Sequence, residues 1–200
     1  SVEVYSISTA NGYASTIHNM GGQISVRGDF NLAGSVNGLS SASKLLLIGE
    51  GEQNVHFPAN QNFAELAVRN STGRVRFHTN LTADRFTIEA GARVSFLSDR
   101  NVYAGAIEWL GTTEKPIRMG LINPGNPWYL RLNKGGAQAL SNVEVAFSNA
   151  RYSDPIDGTA GCRDYGSNTN WIFDLASAIE LVESDIDGVL QIDGVANGGD

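Results

Sequence analysis

The feature that most constrains this chain is an internal repeat. Apolar pairs two residues apart recur at Ile24/Val26, Leu45/Leu47, Leu66/Val68, Phe86/Ile88, Ile107/Trp109 and Trp128/Leu130, at steps of 21, 21, 20, 21 and 21 residues. A second series, Val-x-Phe, falls between them at Val55/Phe57, Val75/Phe77 and Val94/Phe96, with Ile117/Met119 as a degraded continuation. Apolar residues at i and i+2 have the period of a strand that buries one face, so each repeat holds at least two short strands. Turn formers separate them, including Gly28-Asp29, Gly49-Glu50-Gly51, Asn70-Ser71-Thr72-Gly73 and Glu89-Ala90-Gly91.

Short strands at regular spacing also build antiparallel sandwiches, but hairpin lengths there vary and equivalent positions do not recur within one residue. In a solenoid each turn stacks on the last about 4.8 Å away, so an inward position meets its own kind once per turn. The near-constant step favours an all-β, right-handed, single-stranded parallel β-helix of about seven rungs of about 20 residues, a rod of roughly 35 Å. Leu45, Leu66, Phe86, Ile107 and Trp128 are expected to form one inward file.

With 42% hydrophobic residues, 200 residues can bury one sizeable core. We expect one domain over residues 1–173, closed by an irregular capping segment over about 124–173 that is rich in aromatic side chains. Residues 174–200 read as an acidic tail, a linker or the start of another module, with a short helix after Asp174 and an Ile-Asp-Gly-Val sequence that occurs twice. Seven of the 21 acidic residues lie there without a single Lys or Arg, which leaves 14 acids against 14 bases in the body. A neutral body with interspersed signs lacks the field that nucleic acid requires, so nucleic acid is not an expected partner. No stretch has the roughly 18 apolar residues of a membrane span, and an export signal or anchor would have to lie outside these residues. Cys162 is the only cysteine, so no internal disulfide supports the fold.

The passage Leu45 to Met119, which opens Gly49-Glu50-Gly51-Glu52-Gln53-Asn54-Val55-x-Phe57, resembles the β-helical repeats of large bacterial surface proteins of the autotransporter-passenger and filamentous-haemagglutinin kind. The segment Gly161-Cys162-Arg163-Asp164-Tyr165-Gly166-Ser167-Asn168-Thr169-Asn170-Trp171-Ile172-Phe173 looks like the part that closes such stretches. The resemblance spans most of residues 20–173. It implies secretion or display on a bacterial cell surface and a structural or adhesive role, and it brings no catalytic residues with it.

Several groups of residues are candidates for binding. Arg74 and Arg93 each precede a Val-x-Phe signature and Arg76 lies within one, so a short arginine cluster on one face can hold an anionic sugar or carboxylate, with Glu65 and Glu89 as internal partners. Arg27-Gly28-Asp29, at a strand-to-turn junction, is the tripeptide that integrins read. Asp157, Asp164, Asn168 and Asn170 form an oxygen-rich set in the capping segment that can hold a Ca²⁺ ion; no other cofactor is expected. His56 and His78 fall near one rung face, but aligning Val55-His56-Phe57 with Val75-Arg76-Phe77 sets them out of register. Asp84, Glu89, Asp99 and Glu108 are the best acids for a catalytic cluster and read more simply as solvated surface.

These readings favour a non-catalytic structural or adhesive module of a longer secreted or cell-surface protein, facing polysaccharide, another cell surface or neighbouring domains. One alternative is a carbohydrate-binding or polysaccharide-degrading domain, for which Trp109, Trp128 or Tyr129 would have to point outward to stack on sugars. Another is a self-assembling filament or surface-layer subunit, joined through open strand edges.

Overall fold

Parallel strands cannot be joined by tight hairpins, and a coil meets that requirement by bringing each strand back one level higher. The computed structural model describes residues 1–4, 7–8, 22–32, 41–58 and 61–174; the tail from residue 175 lies outside these, together with its expected helix and Ile-Asp-Gly-Val pair. Among the described residues there is no helix, and strands alternate between two parallel sheets. The first sheet stacks Val2–Val4, Gln23–Val26, Lys44–Leu47, Asn62–Val68, Leu81–Glu89, Asn101–Leu110, Trp128–Leu132 and Ser148–Asn149. The second stacks Ile7–Ser8, Phe30–Asn31, Gln53–His56, Arg74–Phe77, Arg93–Phe96, Ile117–Leu121, Val143–Val145 and Arg163–Asp164. The regular coil makes about six turns.

Register explains why the repeat is so constant. Ile24, Leu45, Leu66, Phe86 and Ile107 stack directly on one another, as do Val26, Leu47, Val68, Ile88 and Trp109. All of these side chains are buried. Each fully buried aliphatic or aromatic side chain contributes roughly 1.5–3 kcal/mol relative to exposure. Aromatic rings link neighbouring rungs inside the coil: Phe77 stacks on Phe96 at 5.5 Å between centroids, Phe96 on Trp128 at 4.4 Å, and Phe86 meets Trp109 edge-on at 5.7 Å.

The file ends differently from the expected one. Trp128 and Leu130 are buried, but Gln138 and Leu140 are what pair with Ile107 and Trp109, while Leu130 pairs with Val102. The physical reason is a longer rung. The strand Asn101–Leu110 crosses its bend with only Gly105 and Ala106 between the paired positions Ala104 and Ile107, whereas the rung above inserts Asn133-Lys134-Gly135-Gly136-Ala137 between Leu132 and Gln138. The loops after Leu110 and Leu121 are also longer than those after Glu89 and Phe96. A constant 21-residue step therefore lands Trp128 on a different face of the coil.

The second series is also shifted at both ends. Val75/Phe77 and Val94/Phe96 stack as expected, but Val55 pairs with Phe77 and Gln53 takes the position beneath Val75. Buried Gln53 is fully hydrogen-bonded there. Its Oε1 accepts from the Gly49 and Asn70 nitrogens, and its Nε2 donates to the Val26 and Gly28 carbonyls. At the other end, Met119/Leu121 rather than Ile117/Met119 continue the pair.

The first sheet bends within its long strands, so the coil has a third short face that a two-strand repeat does not reveal. Phe63, Leu81, Ala83, Val102, Ala104, Leu130 and Leu132 fill it from inside. At the bend, a Cβ on Gly105 would sit 2.6 Å from the Asp84 carbonyl oxygen, so backbone from adjacent rungs nearly touches. The stretch 124–173 continues the stack with short parallel strands, and Ile156–Gly158 pairs with Trp171–Phe173. It is irregular, with positive φ at Asn142, Phe147, Ser167 and Asn170.

Candidate anion-binding face

Outward positions on a strand alternate with inward ones, so parallel registration stacks outward side chains into files as strictly as it stacks the core. On the second sheet, Arg74 lies beside Arg93, Arg93 beside Arg118, Arg118 beside Glu144, and Glu144 beside Arg163. Three guanidinium-bearing residues thus follow one another at a rung spacing of about 4.8 Å. Like charges directly opposite one another on neighbouring strands are destabilising. Arg118 is relieved by Glu144, whose Oε2 accepts from its Nε at 2.7 Å; that hydrogen bond and the carboxylate charge raise the Arg118 pKa. Among the described residues, neither Arg74 nor Arg93 has an ion-pair partner, and both side chains are exposed.

The neighbouring file consists of Arg76, Ser95 and Gly120, and Ala146 and Tyr165 follow just beyond the ends of the next two strands. Small side chains here leave a trough of about 540 Å³ that runs across the strands, walled by Arg74, Arg93 and Arg118 and lined further by Glu144 and Tyr165. A Cβ built on Gly120 meets nothing within 4 Å, so the floor is open at its centre. Tyr165 is 60% exposed. The trough therefore offers three planar cationic donors, a shallow floor and one aromatic ring, a set suited to an extended anionic ligand.

Of the three arginines expected to cluster, Arg74 and Arg93 stand side by side, whereas Arg76 lies one file over and pairs with Glu52 at 2.9 Å. Arg118 joins them without any signal in the repeat. Its link to the cluster depends on a 25-residue step between Arg93 and Arg118 that the 20-residue spacing does not suggest. Glu65 and Glu89, the expected partners, belong to the first sheet and pair with Lys44 and Arg69 instead.

Arg27, Gly28 and Asp29 form a corner whose polar groups are engaged. Arg27 pairs with Glu3, the Gly28 carbonyl accepts from Gln53, and Asp29 Oδ1 accepts from the Asn54 backbone. In the capping segment, Asp164 accepts from the Gly166 nitrogen and from Asn168, whose own Oδ1 accepts from the Ser148 nitrogen. Asp157 accepts from Thr159, and Asn170 donates to the Ala150 and Ser153 carbonyls. Asp164 and Asn168 meet, while Asp157 and Asn170 stabilise other turns. Among the described residues, no group of three or more His, Cys, Asp or Glu side chains comes together in a metal-binding arrangement.

Glu89 pairs with Arg69 and Glu108 with Arg85, while Asp84 accepts from Asn62 and Asp99 from Asn126. His56 and His78, expected out of register, stand on adjacent rungs with ring centroids 4.3 Å apart, because the second series is shifted at Val55. Burial lowers both pKa values, and the neighbouring His56 and Arg76 lower that of His78 further. Trp109 and Trp128 point inward and are fully buried. Arg131, on the first sheet, lies over the rings of its register partner Tyr103, of Tyr129 on its own strand and of Tyr152 in the turn after Ser148–Asn149. Comparison with protein-family models, with curated proteins and with solved structures found no match to this chain.

Proposed function

We propose that this chain is a non-catalytic adhesive module of a longer secreted or cell-surface protein, and that the trough on its second sheet holds an anionic saccharide. The observation that carries this reading is the run of Arg74, Arg93 and Arg118 along an open trough, two of them without an acid partner among the described residues. An unpaired same-sign run costs stability in the free protein, and an anionic ligand would offset that cost through bidentate guanidinium contacts. The resemblance of the repeat to bacterial surface β-helices supports the same placement at the cell surface.

A glycan array combined with a polysaccharide-degradation screen tests the reading. Retention of acidic glycans with no released product is the expected outcome. Product release would replace the adhesive reading with an enzymatic one, and indifference to acidic glycans would remove the saccharide.

A further inference from the structure

The floor of the trough holds a polar group that the fold leaves unused. Ser95 is only 6% exposed and lines the trough. It follows Arg93 by two residues on the strand Arg93–Phe96, so both face outward, about 6.6 Å apart. Among the described residues its hydroxyl makes no hydrogen bond, and a buried polar group without a partner is costly. Its register neighbour is Gly120, where a Cβ would meet nothing within 4 Å, so the space beside the hydroxyl is open. Arg74 and Arg93 wall the same trough without acid partners among the described residues, whereas Glu144 already neutralises Arg118. Two free guanidinium groups on adjacent rungs and one free hydroxyl are therefore the donors left for a ligand.

We infer that this part of the trough is a subsite for one tetrahedral oxyanion, a sulfate or phosphate ester carried by the saccharide, held by Arg74 and Arg93 above the Ser95 hydroxyl. This rests on the anion-binding reading given above. A carboxylate is flat and has two oxygens, which a single guanidinium fork satisfies, so it leaves the second arginine and the serine without a partner. A sulfate or phosphate ester presents three terminal oxygens in three directions, enough for two forks from the walls and a hydroxyl from the floor. The missing side chain at Gly120 leaves room for its bulk. The oxygen that links the ester to the sugar lies opposite the three terminal ones and so points to solvent. The subsite therefore reads the charged substituent and leaves the sugar chain unread.

The test is calorimetry on the full chain at low salt with four sugars of one size: glucose 6-sulfate, glucose 6-phosphate, glucuronate and glucose. The tighter of the two esters identifies which one the subsite takes, and it should bind at least about tenfold more tightly than glucuronate. Ser95→Ala should weaken that ester severalfold and leave glucuronate unchanged, because a carboxylate makes no use of the hydroxyl. Arg74→Gln should cost the ester about tenfold and glucuronate little, since Arg93 alone satisfies a carboxylate. Melting curves establish that the variants remain folded, and Arg74→Gln, at an exposed position, carries the test if Ser95→Ala does not fold. Glucuronate binding as tightly as either ester, or both variants weakening glucuronate and ester alike, would overturn the oxyanion subsite while leaving an anion-binding face intact. No binding of any of the three acidic sugars would remove both.

Discussion

The two sheets treat stacked charge in opposite ways. On the first, Lys44 pairs in register with Glu65 and Glu65 with Arg85, so the signs alternate up the coil; Arg85 and Glu108 add a diagonal contact at 3.6 Å. On the second, Arg74, Arg93 and Arg118 follow one another before Glu144 interrupts. The same parallel stacking that repeats a core residue also repeats a surface charge, and alternation is the arrangement that favours stability. The second sheet departs from that alternation beside an open trough, and the proposed anion-binding role rests on this departure.

The largest expected effect separates the sheets by backbone packing. Gly105→Leu, at the first-sheet bend, should destabilise by about 2–4 kcal/mol because its Cβ would meet the Asp84 carbonyl at 2.6 Å. Gly120→Leu, on the open second-sheet floor, should change stability by less than about 0.5 kcal/mol and yet block the trough. Urea denaturation of both, with binding measured for the second, checks the pair; similar losses of stability would break the contrast.

Charge reversal comes next. Glu65→Lys places three cations in register on the first sheet and should cost about 1 kcal/mol, whereas Arg93→Glu restores alternation on the second and should stabilise by up to about 1 kcal/mol while abolishing acidic-glycan binding. Destabilisation by Arg93→Glu would show that the run of arginines is held by contacts other than a ligand. Raising salt should then narrow the difference between these two variants, since both effects are electrostatic and surface-exposed.

The smallest effect concerns pH and the stacked histidines. Both folded-state pKa values lie below the ordinary 6.5, chiefly through desolvation, with Asp29 opposing the shift at both and Glu52 at His78. The unfolded chain therefore binds protons more readily, so this contribution to stability is complete above about pH 6.5 and is lost as pH falls from there through the folded-state values. His56→Asn should flatten that slope in denaturation midpoints measured on either side of about pH 6.5. An unchanged slope would place the acid sensitivity elsewhere.

Much of the fold was legible because a coil imposes one spacing on every level. Leu66, Phe86 and Ile107 could be placed inward and in one file from their positions alone, and Arg74 and Arg93 could be placed side by side because each precedes a stacked Val-x-Phe pair. Legibility ended where insertions changed the step. Trp128 kept its inward orientation but joined another face, Arg118 entered the arginine file from 25 residues away, and His56 met His78 after a two-residue shift at Gln53.

The amino-acid sequence by itself determined the solenoid, the inward residues and the neutral body, because periodic burial of apolar side chains dominates the energy of such a coil and needs only spacing to be recognised. The tertiary structure decided which outward side chains became neighbours. Surface files carry no hydrophobic signature, and a buried glutamine or an inserted turn shifts them by whole residues, so the Arg74–Arg93–Arg118 run and its trough exist only once the register of every rung is set.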